Sequence, residues 1–511
     1  MAPLFNAAAD LLARGLSCAG PDKTAYVDQL EAVTYGELAR RVAAAASGFR
    51  ALGLRPEQRV LLVLLDTVDL PVAFLGAIYA GLVPVPVSTL MSSADYAYFL
   101  DDSRAAAVVL SESLLRKVFA AGPPGIPVVR SGSDPETPLA EGDCTFAQLL
   151  ALAPPAERPA STCADEVAFW LYSSGSTGQP KGVMHLHRSL AATADTYGRD
   201  VLGITSEDVV FSAAKLFFAY GLGNALTFPL SVGATAVLLA DRPTPESVVR
   251  TLRRFHPTIF FGVPTLYASL LAEDTHRPEG ASPALRRCVS AGEALPRHIG
   301  QHWEARVGVE ILDGIGSTEM LHIFLSNQPG AVRYGTTGTP VPGYDVELRD
   351  DHGAAIEGQG EGALWVRGPS AAMAYWNQRQ RSLSTFHGPW TCTGDRYQRD
   401  EQGVYIYCGR NDDMLKVGGI WVAPFEVESV LSSHPAVLEA AVVAHADGDG
   451  LIKPKAFVVL HAATPRGPEV VAQLRAFVKE HLAPYKVPRW VELVDELPKT
   501  ATGKVQRFRL R

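Results

Sequence analysis

Between about residue 20 and residue 400 the chain alternates short, wholly apolar runs with helix-like segments, and this pattern constrains the fold more than any other feature. VLLVLL (60–65) is followed by a helical run from Pro71 and then by VPVPV (83–87). Residues 106–110, 126–129, 166–172, 234–240 (ATAVLLA) and 258–264 (TIFFGVP) repeat the pattern. A strand with one wet face alternates apolar and polar residues, whereas one that is apolar throughout is covered on both faces. Parallel sheets lying between helices meet that condition, so the expectation is an α/β fold.

The texture changes near Gly394. TGDRYQRDEQGVYIYCGRNDD is polar, has turn residues at 400–403, and reads as a hairpin leading into a linker. PFEVESVLSSH (helix), AVLEAAVVAH (strand), KPKAFVVL (strand) and EVVAQLRAFVKEHL (helix) then follow, enough for a small α+β domain. The expected division is a large domain over 1–411 and a small one over 412–511. Residues 121–160, rich in Pro and Ala, read as a surface excursion.

Composition excludes several classes. With 47% hydrophobic residues the chain can bury sizeable cores. Its 46 basic and 54 acidic residues give a net charge of −8, so it lacks the positive surplus that nucleic-acid binders use. The uncharged stretches 70–87 and 216–240 are interrupted by Gly and Pro and read as helix, break and strand, not as membrane spans. The six cysteines, at 18, 144, 163, 288, 392 and 408, form no C-x-x-C pair. That scatter, with no basic-then-apolar leader, gives the expectation of a cytoplasmic protein.

The chemistry centres on YSSGSTGQPKG (172–182), between a buried run and a helical pattern starting near Leu186. Its glycines let the backbone approach an anion, its hydroxyls and N–H groups can surround phosphate oxygens, and Lys181 adds charge. The nucleotide-hydrolase loop G-x-x-x-x-G-K-[ST] does not fit, because Pro180 precedes Lys181 and Gly182 follows it. In DGIGSTE (313–319), Ser317 and Thr318 are hydroxyl donors suited to a phosphate. Glu319 suits Mg2+, which commonly binds one or two carboxylates plus substrate phosphates.

YSSGSTGQPKG resembles the signature loop of the adenylate-forming superfamily, which holds acyl- and aryl-CoA synthetases, peptide-synthetase adenylation domains and firefly-type luciferases. SAGEAL (290–295), DGIGSTE, TGD (393–395), GRNDDMLKVGG (409–419) and PKTATGK (498–504) follow in the family's order, so the resemblance covers nearly the whole chain. It implies a large domain of parallel-type sheets with covering helices and a small barrel-like part, followed by a mobile C-terminal domain.

By that resemblance Ser173, Ser174, Gly175, Ser176, Thr177, Gly178 and Lys181 hold the ATP phosphates. Ala291, Gly292 and Glu293 form one wall around adenine, and Asp313, Gly314, Ile315 and Gly316 the other. Ser317 and Thr318 meet the α-phosphate, Glu319 holds the metal, Asp395 and Arg410 bind the ribose, and Tyr407 packs on the nucleoside. Lys504 is matched to the mobile lysine that neutralises charge during adenylation, with Glu319 and Thr318 as its catalytic companions. Asp412 is matched to the hinge, Gly418 and Gly419 to the passage of the CoA arm, and Lys416 to a lysine near the acyl carboxylate.

KLFFAYGLGN (215–224) should line the acyl site; it is aromatic and has no acidic residue to pair an α-ammonium, which disfavours amino acids. With STEMLHIFLSN (317–327) it is similar to the benzoate–CoA ligase subgroup. That similarity places Phe218, Ala219, Tyr220, Leu321, His322 and Ile323 around a planar ring, with Ala291, Gly316 and Lys416 nearby. The implied activity is an AMP-forming aryl-CoA ligase using ATP, Mg2+ and CoA on benzoate, a hydroxybenzoate or 2-aminobenzoate. The alternative is a stand-alone aryl-acid adenylation enzyme that loads a carrier protein. Expected partners are small molecules only, with no nucleic acid and no membrane, for a monomer or homodimer.

Overall fold

The computed structural model describes all residues except 1–2, 121, 123, 133–138, 176–177, 273–274, 412, 418–419, 449–450, 463 and 500–504. For 174–175, 178–179, 416, 420–421 and 508 the backbone alone is described.

Two parallel sheets carry most of the chain. In the first, Val83–Pro86, Arg59–Val63, Ala107–Ser111, Val128–Ser131 and Cys144–Thr145 lie side by side, all parallel. Ala107–Ser111 is buried at every position and Arg59–Val63 after its first residue, as their unbroken apolar sequences require. In the second, Thr24–Val27, Thr235–Val237, Val209–Ser212, Ile259–Gly262, Arg287–Ser290 and Ile311–Gly316 run parallel. Ile323–Ser326 then adds an antiparallel strand beside Ile311–Gly316. The stretch 70–87 is the helix Asp69–Tyr79, a turn at Gly81 and the strand Val83–Pro86. Among the described residues no helix is long and apolar enough to cross a membrane.

Three sequence expectations need correction. The stretch 121–160 is not a surface excursion throughout, because Val128–Ser131 and Cys144–Thr145 are strands of the first sheet and Phe146 and Leu149 are buried. Residues 166–172 do not join a parallel sheet: Val167–Gly175 is the first arm of an antiparallel hairpin whose second arm is Gly178–Leu186. The gap between the arms is far too short for a parallel crossover, which needs a dozen or more residues. The run VGVEIL (307–312) before DGIGSTE reads as a strand by its apolar residues, but the helix Arg297–Val307 runs further and ends at Gly308, with φ +78°. The strand therefore starts at Ile311 and takes in the first four residues of the motif.

A five-stranded antiparallel sheet follows among the described residues, built on Asp345–Arg349, Gly360–Arg367 and the expected hairpin Trp390–Arg399/Tyr405–Arg410. This is the barrel-like part. The last hundred residues form a separate α+β unit: the helices Pro424–Ser432 and Pro468–His481 cover the sheet Val437–Ala446, Ile452–Leu460, Trp490–Leu493. It has its own apolar core, including Val427, Leu431, Val442, Val458, Leu474 and Val478.

Candidate active site

The arms of the 167–186 hairpin pair Tyr172 with Gly182 and Ser173 with Lys181, so Lys181 is placed by a backbone ladder and not by a free loop. Ser176 and Thr177, at the tip, lie outside the described residues; Ser174, Gly175 and Gly178 are described by their backbone, in the two arms. The Ser173 hydroxyl is buried with no hydrogen-bond partner, a group held ready for a ligand. The helix Ser93–Ser103 braces the hairpin. The Tyr98 hydroxyl donates to Pro180 O (2.8 Å), and Asp102 accepts from the Tyr172 hydroxyl (2.6 Å).

Lys181 Nζ lies 3.3 Å from Glu319 Oε1 and donates to the Tyr375 hydroxyl at 2.9 Å; that hydroxyl donates in turn to Glu319 Oε1 at 2.7 Å. Burial alone would raise the Glu319 carboxyl, but the Lys181 ammonium and the Tyr375 hydroxyl outweigh it and hold the group below its ordinary value. Thr318 is fixed through its carbonyl, which accepts from His185 Nε2 at 2.8 Å. Burial pushes His185 down to about 4, so its ring is neutral and stacked on Phe169.

Ala291, Gly292 and Glu293 follow the strand Arg287–Ser290, while Asp313, Gly314, Ile315 and Gly316 end the neighbouring one, so the two expected adenine walls sit at adjacent strand ends. Gly292 has φ +98°, open to glycine and costly for other residues. Asp313 is 5% exposed; one oxygen accepts from Leu295 N–H at 3.3 Å, and the other lacks a well-formed hydrogen bond. Burial raises this carboxyl to about 8, leaving it protonated at neutral pH. Ser317 Oγ caps the next turn by accepting from Met320 N–H at 3.2 Å.

Asp395 and Arg410 are cross-strand partners, with Nη1 to Oδ1 at 3.1 Å. Gly394 (φ +75°) allows this approach, since a Cβ there would lie 2.9 Å from the guanidinium. The Tyr407 ring sits between Tyr397 and Phe425, at 5.4 and 5.3 Å between centroids.

Phe218, Ala219 and Tyr220 stand where the chain enters the helix Ala219–Leu222. The half-buried Tyr220 hydroxyl reaches Gly262 O and Val289 O, both at 3.2 Å, which ties the aromatic segment to two strand ends. Opposite, Leu321 has φ +66°, a left-handed conformation costing about 1–2 kcal/mol outside glycine. This turn returns the chain to the sheet, so buried His322 and Ile323 lie beside Gly316, where a Cβ would meet His322 O at 2.5 Å. The His322 ring contacts Tyr197, Tyr220 and Phe228, and burial pushes it down to about 3.

In the C-terminal unit, Asp412, Gly418, Gly419 and Lys504 lie outside the described residues, and Lys416 is placed by its backbone, paired with Trp421. Val505, next to Lys504, donates its N–H to Glu293 Oε1 at 3.3 Å, so this segment reaches the adenine-wall strand end. Arg507 pairs with buried Glu428 at 2.7 Å and approaches Asp413 at 3.9 Å.

Sequence reasoning missed Tyr375, Tyr98, Asp102 and His185. None stands in a recognisable motif. Tyr375 arrives because the short strand Ala374–Tyr375 adds to the hairpin opposite Val183, a pairing distant in sequence.

Comparison with known proteins identifies the family. The family model for the AMP-binding enzyme matches residues 17–376, and that for the AMP-binding enzyme C-terminal domain matches 426–504. The chain belongs to the AMP-binding enzyme family. It is 54% identical to the benzoate–CoA ligase of Thauera aromatica, over 99% of this chain and 96% of that enzyme. The crystal structure of a benzoate CoA ligase from Burkholderia xenovorans LB400 superposes with a TM-score of 0.92 at 54% identity, covering 99% of this chain and 100% of that one. The anthranilate CoA ligase AuaEII, in complex with anthranoyl-AMP, superposes with a TM-score of 0.93 at 39% identity, over 99% and 96% of the two chains.

Proposed function

We propose that this protein is an AMP-forming aryl-CoA ligase acting on benzoate or a ring-substituted benzoate. The observation that carries the reading is one convergence: the Lys181–Glu319 pair and the aromatic segment around Tyr220 and His322 meet at neighbouring strand ends. The similarity to benzoate–CoA ligases over the whole chain supports the substrate class.

In the first half-reaction a benzoate carboxylate oxygen attacks the α-phosphorus of ATP, and pyrophosphate leaves as the aryl-adenylate forms. Lys181 exchanges its contact with Glu319 for phosphate oxygens, aided by the hairpin hydroxyls and N–H groups. Glu319 would hold Mg2+. As a single carboxylate in a site with no cluster of three or more metal-binding side chains among the described residues, it fits a cation whose other ligands are phosphate and water. The metal, when bound, neutralises phosphate charge. Lys504 supplies a cation between carboxylate and α-phosphate as charge develops. The contact from Val505 to Glu293 favours the adenylation arrangement for this structure.

In the second half-reaction the small domain turns about Asp412. The CoA sulfur attacks the aryl carbonyl and AMP leaves, giving the thioester, with Gly418 and Gly419 beside the passing arm and Lys416 near the carbonyl. Asp395 and Arg410 hold the ribose throughout. No enzyme thiol is needed; Cys288, the most deeply buried, is pushed up to about 12 by burial. The free thiols suit a reducing cytoplasm.

The test is pyrophosphate release with MgATP across benzoate, hydroxybenzoates, 2-aminobenzoate, an amino acid and a medium-chain fatty acid, with and without CoA. CoA-dependent turnover confined to the benzoates is expected. Adenylation without thioester would point to a carrier-protein loader, and turnover with the fatty acid alone would refute the reading. A Lys504→Ala variant should lose adenylation yet convert supplied aryl-AMP with CoA.

A further inference from the structure

A hydrogen-bond chain behind the aromatic segment fixes which His322 nitrogen carries the proton. The Ser212 hydroxyl donates to Ala214 O at 2.9 Å, so its oxygen is left to accept. It accepts from Asn224 Nδ2 at 3.2 Å. The amide is thus oriented by its NH2 end, which turns Oδ1 to His322 Nε2 at 3.0 Å. Tyr220 O, a second acceptor, lies 3.3 Å from the same nitrogen. Two acceptors at Nε2 require an N–H there. His322 is 2% exposed, and its Nδ1 is buried with no hydrogen-bond partner.

We propose that Asn224, itself oriented by Ser212, is a specificity-positioning residue: it locks His322 as the Nε2–H tautomer, so that Nδ1 is a bare acceptor for an N–H or O–H substituent on the aryl ring. The inference rests on the aryl-acid reading of this site. It narrows the class: a hydroxy- or amino-benzoate carrying its donor at one ring position is preferred over an isosteric acid with none. A buried acceptor left unpaired is costly, and a single donor on the ligand relieves it. Asn224 is fully buried beside Gly223, where a Cβ would lie 2.3 Å from the His322 ring, so the imidazole has little room to turn away from the lock.

The experiment measures kcat/KM for isosteric pairs, amino- against methyl-benzoates and hydroxy- against fluoro-benzoates, at each ring position, with benzoate as reference. In wild type one position should favour the donor by about tenfold, the worth of one hydrogen bond. Ser212→Ala releases the amide and should collapse that ratio toward one, while Ser212→Thr, which keeps the hydroxyl, should restore it. Nitrogen-15 spectra of histidine-labelled protein, with His322 assigned from a His322→Gln variant, should show Nε2–H in wild type and a tautomer mixture in Ser212→Ala. A wild-type ratio near one at every position, or an Nδ1–H signal in wild type, overturns the proposal. Absence of turnover with every benzoate would refute the proposed function instead, and the spectra would still decide the tautomer.

Discussion

Asp313 offers a quantitative test of the site's electrostatics. Its carboxyl is buried in Ile311–Gly316, where burial raises it from 3.8 to about 8 and the hydrogen bond from Leu295 N–H pulls only partly the other way. The unfolded chain ionises this group near its ordinary value, so above that pH folding must take up a proton. A raised folded pKa contributes stability that is complete below the unfolded value and is lost as pH rises through the folded one. The loss runs at about 1.4 kcal/mol per pH unit, or roughly 4 kcal/mol by pH 7 as an upper figure. Asp313→Asn is neutral at every pH and keeps an oxygen for the Leu295 N–H. Its advantage over wild type should therefore grow steadily from about pH 5 to about pH 8. Urea midpoints of the first unfolding transition, measured for both proteins across that range, read this directly. An offset that stays constant with pH would mean Asp313 is ionised in the folded protein, and the burial argument would fail.

Three further outcomes follow from the contacts. Tyr375→Phe removes the hydroxyl joining Lys181 to Glu319, and charge-assisted bonds of this kind predict a loss of roughly 10- to 100-fold in adenylation kcat/KM, read by pyrophosphate release. Gly223→Ala puts a Cβ 2.3 Å from the His322 ring; the KM for benzoate should rise about tenfold or more while the KM for ATP stays near wild type. Glu428→Ala leaves the partly exposed Arg507 without its nearer partner and the buried Val442 N–H without an acceptor, which should cost about 1–3 kcal/mol in the C-terminal unit, seen as faster amide exchange there than in the 1–411 region.

The segments expected to hold phosphate, adenine and metal could be proposed from sequence because each occupies one short stretch of chain whose composition suggests its chemistry. The alternating apolar runs gave the parallel sheets for the same reason: burial on both faces leaves a local mark at 107–111 and 259–262. The hairpin at 167–186 was misread because its first arm is as apolar as a parallel strand, and orientation depends on the partner strand. Tyr375 and Tyr98 were invisible because their contacts come from long-range pairing: an edge strand at 374–375 and a helix at 93–103. His322 was expected at the acyl site from its motif, but its neutral state comes from burial, and the Asn224 contact on which the proposed tautomer rests lies 98 residues away in sequence.

The Tyr220 hydroxyl, held by the main-chain oxygens of Gly262 and Val289, would make the depth of the proposed acyl cleft a property of the sheet itself. Trimming the ring to admit longer acids would take this donor from Gly262 O, at about 1–3 kcal/mol, while Val289 O keeps the Tyr267 hydroxyl at 2.9 Å. Substrate range and folding stability are therefore coupled at this position. Selection for bulkier acids should recover changes at 220 accompanied by compensating donors or by stabilising substitutions elsewhere, and seldom changes at 220 alone.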